Sequence, residues 1–310
     1  VSVIIAIEQI AKVCASTAVI FAVHNIIVSH AIAKFGTPEQ QKKYLPKLAS
    51  GKSLGGIALK EPDSLDSIID METIAVDDGN GWILNGIKRM VIGADEIDTF
   101  MFIAKNNDNK PMIFLLGKNE AGMKFDSDES TLGLNGLKCK KVTFENCKLA
   151  KENILGDKAN QIDFFNEIQN VGKLAISAVG IGIAQTALKL SVEHSLQRMQ
   201  FDKYIAEFDG LRWMMASMES DIASARHNLY VAASAKDEGR SAEKECAIAK
   251  FSAAKTAVKA TIDAIQIRGG YGYMREYPLE RMFRDAKATE FIMGAVQTQM
   301  EIIAEKILGN

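Results

Sequence analysis

The period of the hydrophobic pattern changes twice along this chain, and this change constrains the fold more than any other feature. Residues 1–52 carry apolar side chains at helical spacing, residues 53–155 form short strand-like runs, and residues 156–310 return to the helical period. Helices and strands repeat their faces every 3.6 and every 2 residues. The sequence therefore predicts an α+β fold with an incomplete N-terminal helical domain, a central β-domain and a C-terminal helical bundle.

The central segment predicts strands joined without intervening helices. Asp, Asn and Gly at 77–81 and 106–109 are strong turn formers that separate these runs. Strands at this spacing favour an antiparallel β-barrel or sandwich. The strand-like runs lie near 53–59, 82–86, 99–104, 111–116 and 141–144.

The flanking segments predict helices with recognisable ends. Thr37 is a good N-cap residue, and Pro38 suits the first position of the short helix that follows. After residue 156, four long amphipathic patterns joined by short connections predict a four-helix bundle. These patterns cover 174–194, 209–237, 242–268 and 279–308.

Composition excludes several classes of function. The net charge of −2 gives no electrostatic case for binding nucleic acid or an anionic membrane. The four Cys and four His residues show no metal-ligand spacing, so we expect reduced, mostly buried thiols in an intracellular protein. With 25% charged and 47% hydrophobic residues, the balance is that of a globular protein.

Residues 14–33 are uncharged and mainly apolar, which raises the question of a membrane span. Ser, Thr, Asn and His side chains interrupt the segment, so a buried helix pair is favoured over a span. The chain begins within a helical pattern and without a basic start, so no signal peptide is predicted. We expect that the native N-terminus is missing from this sequence.

The stretch 266–299 combines a Gly-Gly turn, an aromatic Tyr-Gly-Tyr loop and an Arg-rich helix start. Paired glycines let a backbone approach a ligand closely. A glycine pair also occurs as an ordinary turn that joins two helices and binds no ligand. The stretch alone therefore leaves an anion or nucleotide contact and a plain turn both open.

An ordered series of motifs covers nearly the whole chain, in the segments 35–51, 58–63, 84–88, 132–136, 152–156, 180–185, 197–201, 266–273 and 280–287. Together these matching segments resemble the acyl-CoA dehydrogenase family. The resemblance implies the fold predicted above, with FAD at a dimer interface contacted by both subunits. It also implies removal of two hydrogens from an acyl-CoA, with a carboxylate taking the α-proton and FAD accepting the β-hydride.

The position of the family's usual catalytic Glu holds Met293, whose thioether cannot accept a proton at useful pH. Some family members carry the Glu on an earlier helix, but the matching positions here are Gly172 and Lys173. Glu290 and Glu167 are weak candidates for a displaced base. We favour an ordinary helical surface charge for both.

The implied flavin contacts divide into two groups. Residues that would hold the chain's own FAD depart from the family pattern. Lys60, which follows Leu59, and Ile92 each stand where the family has a hydroxyl residue. Differences also occur at Met90, at residues 65–67 and at Ala295. Only Gln297 keeps hydrogen-bonding character there. Lys60 would either stabilise a reduced flavin or fill an empty pocket.

Residues that would serve the neighbouring subunit's FAD are intact: Arg198 at the diphosphate, Phe201 near the adenine, and Gln266, Gly269 and Gly270 along the diphosphate and ribose.

Two main functions follow from the resemblance. The first is an FAD-dependent oxidoreductase acting on the α,β C–C bond of an acyl-CoA, passing electrons to an electron-transfer flavoprotein. The alternative is a non-catalytic subunit that completes the FAD site of an active paralogue; an acyl-CoA-binding scaffold without flavin is a third possibility. We expect a homo- or hetero-oligomer (a dimer of dimers) located in the cytoplasm, or in the mitochondrial matrix if the source is eukaryotic.

Overall fold

The computed structural model describes residues 1–62, 70–93 and 96–309, and the chain divides into two compact units. The helical unit comprises Val1–Val19, Thr131–Asn135 and Lys173–Asn310, and the sheet unit comprises Ile20–Ser130 and Gly136–Gly172. The α-helices are α1 Ser2–Ala11, α2 Ala15–Ala22, α3 His30–Phe35, α4 Pro38–Ala49, α5 Gln161–Ser195, α6 Asp209–Asp237, α7 Glu243–Arg268, α8 Leu279–Ala288 and α9 Val296–Leu308. The strands are β1 Gly55–Ala58, β2 Ile74–Asp77, β3 Gly81–Ile92, β4 Thr99–Lys105, β5 Pro111–Gly117, β6 Met123–Asp128, β7 Cys139–Ala150, β8 Met199–Gln200 and β9 Lys203–Tyr204.

The sheet unit is built on one seven-stranded sheet in the order β1-β4-β2-β3-β7-β6, with β5 paired to β4. Most neighbours are antiparallel, as predicted, but β1 and β4 are parallel, and β2 meets β4 in parallel at Ile74 and Lys105. The sheet is therefore mixed, and the predicted α+β class is confirmed. The sequence missed β2 and β6, which are short and only partly buried.

Aromatic side chains fill the core of the sheet unit. Trp82 meets Phe114 edge-on with ring centroids 5.7 Å apart, and Phe102 meets Phe144 at 4.8 Å. The side chains of β4 and β5 are buried almost throughout. Continuous apolar runs of this kind are expected for strands covered on both faces.

Helix α4 begins at the N-cap that the sequence predicted. Thr37 Oγ1 accepts from the backbone N–H of Gln40, and the Gln40 side chain accepts from the N–H of Thr37, forming a capping box. The same Gln40 amide donates to the carbonyl oxygens of Glu152 and Ile154 at 3.0 and 2.6 Å. The matching segments 35–51 and 152–156 are thus tied together by one buried side chain.

The predicted long helices are present with two corrections, the first being that α5 begins at Gln161 and not at the predicted residue 174. Helix α6 has the expected bounds, and α7 differs by a single residue. The predicted helix over 279–308 is wrong, because residues 289–295 separate α8 from α9. Met293 and Gly294 adopt φ values of +58° and +90° there, and such values cannot continue a right-handed helix.

The short segment Thr131–Asn135 is held by α8. The guanidinium of Arg284 donates to the carbonyl of Leu132 at 3.0 Å, and the carboxylate of Asp285 accepts from the N–H of Leu134 at 2.6 Å. A Cβ on Gly133 would lie 2.2 Å from the carbonyl oxygen of Arg284, so only glycine fits this contact. The matching segments 132–136 and 280–287 therefore serve packing against each other.

Among the residues that the structure describes, two helical segments are long and apolar enough to cross a membrane by length and composition: Ala15–Phe35 and Lys158–Ser195, with mean hydropathies of 1.6 and 1.5. Half of the first window and 89% of the second are buried. Core helices of water-soluble proteins meet the same two criteria, so the segments are weak evidence for a span. The burial agrees with the prediction that residues 14–33 form packed helices.

Candidate functional site

The C-terminal end of α7 carries the glycine pair of the 266–299 stretch. Arg268 ends the helix, and Gly269 follows with φ +64° and ψ −143°, a conformation that residues with a side chain avoid. Both Gly269 and Gly270 are exposed, and a Cβ at either position would meet no atom within 4 Å. A Cβ on Gly272, by contrast, would lie 2.5 Å from the carbonyl oxygen of Ile265. Packing therefore explains Gly272 but not Gly270, whose backbone is open to a ligand.

The C-terminal end of α5 leads into a two-stranded hairpin. The N–H of Arg198 donates to the carbonyl of His194 at 2.9 Å, which places Arg198 one turn beyond that histidine. Phe201 and Asp202 form the tip between β8 and β9, both with positive φ, as hairpin turns of this length require. The side chain of Phe201 is 87% exposed and meets Phe208 edge-on at 6.3 Å. A large ring held at a hairpin tip is suited to packing on a planar ligand or a partner surface.

Helix contacts bring these two ends to the same level. Along α6 and α7, Asp221 pairs with Lys259 and Asn228 pairs with Ser252, so the two helices are antiparallel. Helix α6 also runs back along α5, where Arg226 donates to Gln185 at 2.8 Å after the intervening hairpin. Helices α5 and α7 are therefore parallel.

The contact between α5 and α7 sets their register. A Cβ on Gly180 would face Ala253 and Ala257 at 3.2–3.5 Å. His194 lies 14 residues beyond Gly180, and Arg268 lies 11 to 15 residues beyond those alanines. At a rise of about 1.5 Å per residue, both helices extend about 20 Å beyond this contact, so their C-terminal ends lie side by side.

The resulting cluster of Arg198, Arg268 and His194 is strongly cationic. Burial lowers the pKa of His194, and the positive charges of Arg268 and Arg198 lower it further. Within the described part of the chain, no carboxylate forms an ion pair with either arginine. Two guanidinium groups without a counter-ion beside an open glycine backbone form a candidate anion site. Gln266 lies exposed one turn before the glycines, and its carbonyl accepts from the N–H of Gly269.

The connection between α8 and α9 carries the position of the expected base. Met293 is buried, with its backbone in the left-handed region. No side chain caps α9 at Ala295, and Gln297 is exposed on the first turn of that helix. The neighbouring Gln299 is fully buried, and within the described residues its Oε1 has no hydrogen-bond partner.

Glu290 is engaged by two lysines and is buried, contrary to the expectation of a surface charge. Its Oε1 lies 3.2 Å from Lys255 Nζ, and its Oε2 accepts from Lys287. Burial alone would raise the pKa of this carboxyl, but the hydrogen bonds from Lys287 and Lys255 lower it below its ordinary value. The expectation failed because Lys255 lies on α7, far from Glu290 in the sequence.

Glu167, in the sheet unit, is held in a similar way and is also nearly buried. Its Oε1 accepts from Lys34 Nζ at 2.7 Å and lies 3.3 Å from His30 Nε2, so the surface-charge expectation fails here too. Lys173, in the helical unit, is buried, and this burial lowers the pKa of its ammonium group. Each of the two carboxylates proposed as displaced bases is thus paired with two basic side chains.

The strands implied for the chain's own flavin offer mainly apolar side chains. Leu59 and Ile92 are buried, and Lys60 is partly buried with its carbonyl accepting from the N–H of Arg89 at 2.8 Å. Met90 sits on a bulge with φ +55°, and its N–H donates to Glu129. Leu65, Asp66 and Ser67, which depart from the family pattern, lie outside the described residues.

The adjacent charged residues of this region have a structural role. Lys88 and Glu61 are buried, with Nζ and Oε1 2.5 Å apart, and the same carboxylate accepts from the N–H groups of Glu72 and Thr73. Lys88 Nζ also donates to the carbonyl of Leu59 at 3.2 Å. These bonds tie the matching segments 58–63 and 84–88 together.

Sequence reasoning did not assign a role to Arg268 or His194. The signals were present: a cation directly before a Gly-Gly pair, and a histidine four residues before Arg198. Neither signal is specific by itself, because a cation at a helix C-terminus is common. Only the register of α5 against α7 brings the two signals together.

Three family models match the chain in order. The acyl-CoA dehydrogenase N-terminal domain matches residues 1–52, the middle domain residues 56–147, and the C-terminal domain residues 162–308.

Known relatives and solved structures resemble the chain over nearly its whole length. An acyl-CoA dehydrogenase of Bacillus subtilis is 37% identical over 100% of this chain and 83% of its own length. Acryloyl-CoA reductase (NADH) of Anaerotignum propionicum is 34% identical over 98% and 79%. The structure of butyryl-CoA dehydrogenase from Megasphaera elsdenii superimposes with a TM-score of 0.93 at 31% identity, covering 98% of this chain and 81% of that one. The chain therefore belongs to the acyl-CoA dehydrogenase family.

Proposed function

We propose that this chain is a non-catalytic subunit of a heteromeric acyl-CoA dehydrogenase. It supplies a phosphate-binding surface to FAD held mainly by an active paralogue, and it does not abstract the α-proton of an acyl-CoA itself. The observation that carries the proposal is a contrast among the described residues: Arg198 and Arg268 form no ion pair, whereas the candidate bases Glu290 and Glu167 are each engaged by basic side chains.

The proposal that this chain lacks a catalytic base rests on three residues. A buried thioether at Met293 has no basic lone pair of useful strength. Glu290 and Glu167 are carboxylates, but each is paired with two basic side chains. A general base has to reach the proton it removes, with a pKa matched to the working pH. The pKa of Glu290 is instead lowered, which makes it a weak base.

The phosphate half of FAD fits the residues of the helical unit. Arg198 has no acidic partner among the described residues, and Gly270 leaves its backbone open. Arg198, Gln266, Gly269 and Gly270 would hold the diphosphate and ribose, with Phe201 near the adenine. FAD, when bound, supplies the acceptor for a hydride.

The flavin half fits less well. Ile92 is buried and has no hydroxyl group, and Leu59 offers only an apolar side chain beside Lys60. Polar ring atoms need hydrogen-bond partners in a buried site. The poorer fit of the flavin half than of the phosphate half supports a subunit that contributes contacts to the FAD of a partner subunit.

Exposed apolar side chains on the helical unit support an oligomer. Trp213 is 71% exposed near the start of α6, close in sequence to the exposed Phe201 and Tyr204. Large exposed aromatic residues are enriched at protein interfaces. We propose a paralogous subunit as the partner in this assembly.

An active oxidoreductase is the second candidate. It is favoured by the similarity along the whole chain to relatives named as a dehydrogenase and as a reductase. In that case an acyl-CoA is the substrate, an electron-transfer flavoprotein is a partner, and another group handles the proton.

Expression alone and beside candidate paralogues tests the proposal, with FAD content read from absorbance and activity from dehydrogenation of butyryl-CoA. The expected result is substoichiometric FAD alone, more FAD per complex with the right partner, and loss of that gain in Arg198→Gln. Arg212→Gln, an exposed arginine on α6, is the control. One FAD per chain together with dehydrogenation by the chain alone would overturn the proposal in favour of the second candidate.

A further inference from the structure

We propose that Arg268 is a specificity-determining residue. With Arg198 it makes the C-terminal ends of α5 and α7 a site for a diphosphate group, so that nucleoside diphosphates and dinucleotides bind there in preference to monophosphates. The proposal deepens the proposed function, on which it rests, because it names the part of a nucleotide that this surface selects.

The charges of the site match two phosphoryl groups. Arg268 ends α7, Arg198 lies three residues beyond the end of the parallel helix α5, and neither has an acidic partner among the described residues. Each phosphoryl group of a diphosphate ester offers oxygens to a planar guanidinium, which can bind them through two N–H groups. A monophosphate occupies only one of the two positions.

Arg268 makes a cation–π contact with an aromatic ring. Its guanidinium carbon lies 4.4 Å from the ring centroid of Tyr277, and Tyr277 meets Tyr271 edge-on at 5.6 Å. A cation–π contact at this distance restrains the guanidinium while its N–H groups remain able to donate to a ligand. A guanidinium restrained in this way loses little freedom when an anion binds.

One donor of this arginine lacks a partner. The Nε of Arg268 is buried, and it makes no hydrogen bond within residues 1–62, 70–93 and 96–309. Buried donors are nearly always satisfied, so an orphaned one calls for an acceptor from outside the chain. Gly269 and Gly270, which follow Arg268 in the chain, are exposed, and no atom lies within 4 Å of where their side chains would begin.

A purely structural role makes a different prediction. A cation in the last turn of a helix stabilises the negative end of its dipole. That role requires charge alone, so Lys would replace Arg268 without loss. Binding of a diphosphate requires the planar fork, so Arg268→Lys separates the two explanations.

The test is calorimetric binding of ADP, AMP and inorganic pyrophosphate to the full chain at fixed ionic strength. We expect ADP and pyrophosphate to bind at least about tenfold tighter than AMP, as one additional bidentate contact would give. Arg268→Gln should weaken ADP and pyrophosphate roughly 10- to 100-fold and AMP by less than about threefold. Arg268→Lys should retain the thermal stability of the wild-type chain but keep only part of its preference for ADP and pyrophosphate over AMP.

Arg240→Gln is the matched control. Arg240 is exposed in the connection after α6 and pairs with Glu238 at 2.7 Å, so its removal should leave all three affinities unchanged. Unchanged ADP and pyrophosphate affinities in Arg268→Gln would overturn the proposal. So would loss of helix stability without loss of diphosphate preference.

His194 gives a second readout by NMR titration. Bound ADP should raise the pKa of this imidazole, because the anion offsets the two guanidinium charges that lower it. In Arg268→Gln the pKa should already be higher without ligand, and ADP should raise it less. No response of His194 to ADP would contradict the site.

The two proposals fail separately. A diphosphate preference that depends on Arg268, with no FAD in any assembly of this chain, would overturn the proposed function alone. FAD binding that depends on Arg198 but not on Arg268 would overturn this inference alone.

Discussion

Lys255 and Glu290 form an ion pair with an Nζ–Oε1 distance of 3.2 Å, which restricts what the carboxylate three residues before Met293 can do. The Glu290 side chain is only 6% exposed, and Lys287 donates to its other oxygen. Two ammonium groups stabilise the charged form of the carboxyl and therefore oppose proton uptake. Glu290 is thus a structural anion.

Replacing Glu290 by Gln should reduce stability without changing ligand affinity. The pKa of Glu290 lies below its ordinary value of 4.5, so its charge stabilises the fold above that pH, and the contribution is lost as pH falls through the folded-state pKa. We expect a loss of about 1–3 kcal/mol at pH 7, because charged hydrogen bonds are removed. Urea unfolding at pH 7 and near pH 4 measures it, and the difference should shrink in acid.

Glu193→Gln is the control for that experiment. Glu193 pairs with Lys189 across one turn of α5, and both side chains are more than half exposed. Exposed pairs contribute about 0–1 kcal/mol, so little change is expected. A Glu290→Gln protein as stable as this control at pH 7 would contradict the assigned role.

The buried pair Glu61–Lys88 gives a second stability prediction. Lys88→Met leaves an unpaired buried carboxylate and should cost about 3–5 kcal/mol in unfolding free energy. Adding Glu61→Gln should recover part of the loss, since the amide oxygen still accepts from Thr73 and no buried charge remains. Chemical denaturation of the single and double variants measures the coupling. Additive losses would mean that the pair does not act as a unit.

Asp285 should make the stability of the fold depend on pH in the direction opposite to that expected for Glu290. Burial raises the pKa of this carboxyl, although the N–H of Leu134 and the charges of Arg281 and Arg284 act to lower it. A raised pKa in the folded state means that stability falls as pH rises from the ordinary value of 3.8 through the folded-state value. Asp285→Asn keeps an acceptor for Leu134 and should flatten this slope.

Asp285→Ala separates the hydrogen bond from the charge. Without an acceptor, the N–H of Leu134 is left unpaired, and a loss of about 1–3 kcal/mol is expected. Thermal unfolding from pH 4 to 7 compares the two variants. An Asn variant as unstable as the Ala variant at pH 7 would show that the charge itself is needed.

The four thiols should differ in reactivity. Burial raises the pKa of Cys14, but hydrogen bonds with Thr17 and Ser16 and the charge of Arg281 outweigh it and lower the pKa overall. Burial raises the pKa of Cys139 and of Cys147 to about 11, and Cys246 is buried. We expect one fast-reacting thiol per native chain with a disulfide reagent, and its loss in Cys14→Ser. Two or more fast thiols in the native protein would contradict this order.

Local signals in the sequence predicted the parts of the fold that depend on neighbouring residues. Thr37 and Pro38 marked the start of α4 because capping uses side chains within one turn. The break before α9 was missed because nothing about methionine indicates the left-handed backbone that Met293 adopts. The strand β6 was missed because its partial burial gives no strong alternation.

The candidate site shows the same division. Arg198, Gly269 and Gly270 were identified from short motifs, and their proposed ligand contacts stay predictions. His194 and Arg268 were not assigned, because their proximity follows from the packing of α5 on α7. Glu290 was taken for a surface residue since Lys255, its partner, lies on another helix.

Hydrogen exchange at the α-carbon of an acyl-CoA tests the central claim most directly. In D2O, proton abstraction by a base incorporates deuterium into 3-thiabutyryl-CoA, which no hydride transfer can consume. We predict that the wild-type chain in excess FAD exchanges no faster than Met293→Gln, and that Met293→Glu gains exchange by about 100-fold or more, the usual contribution of a positioned base. Exchange by the wild-type chain that disappears in Glu290→Gln or Glu167→Gln would contradict the account.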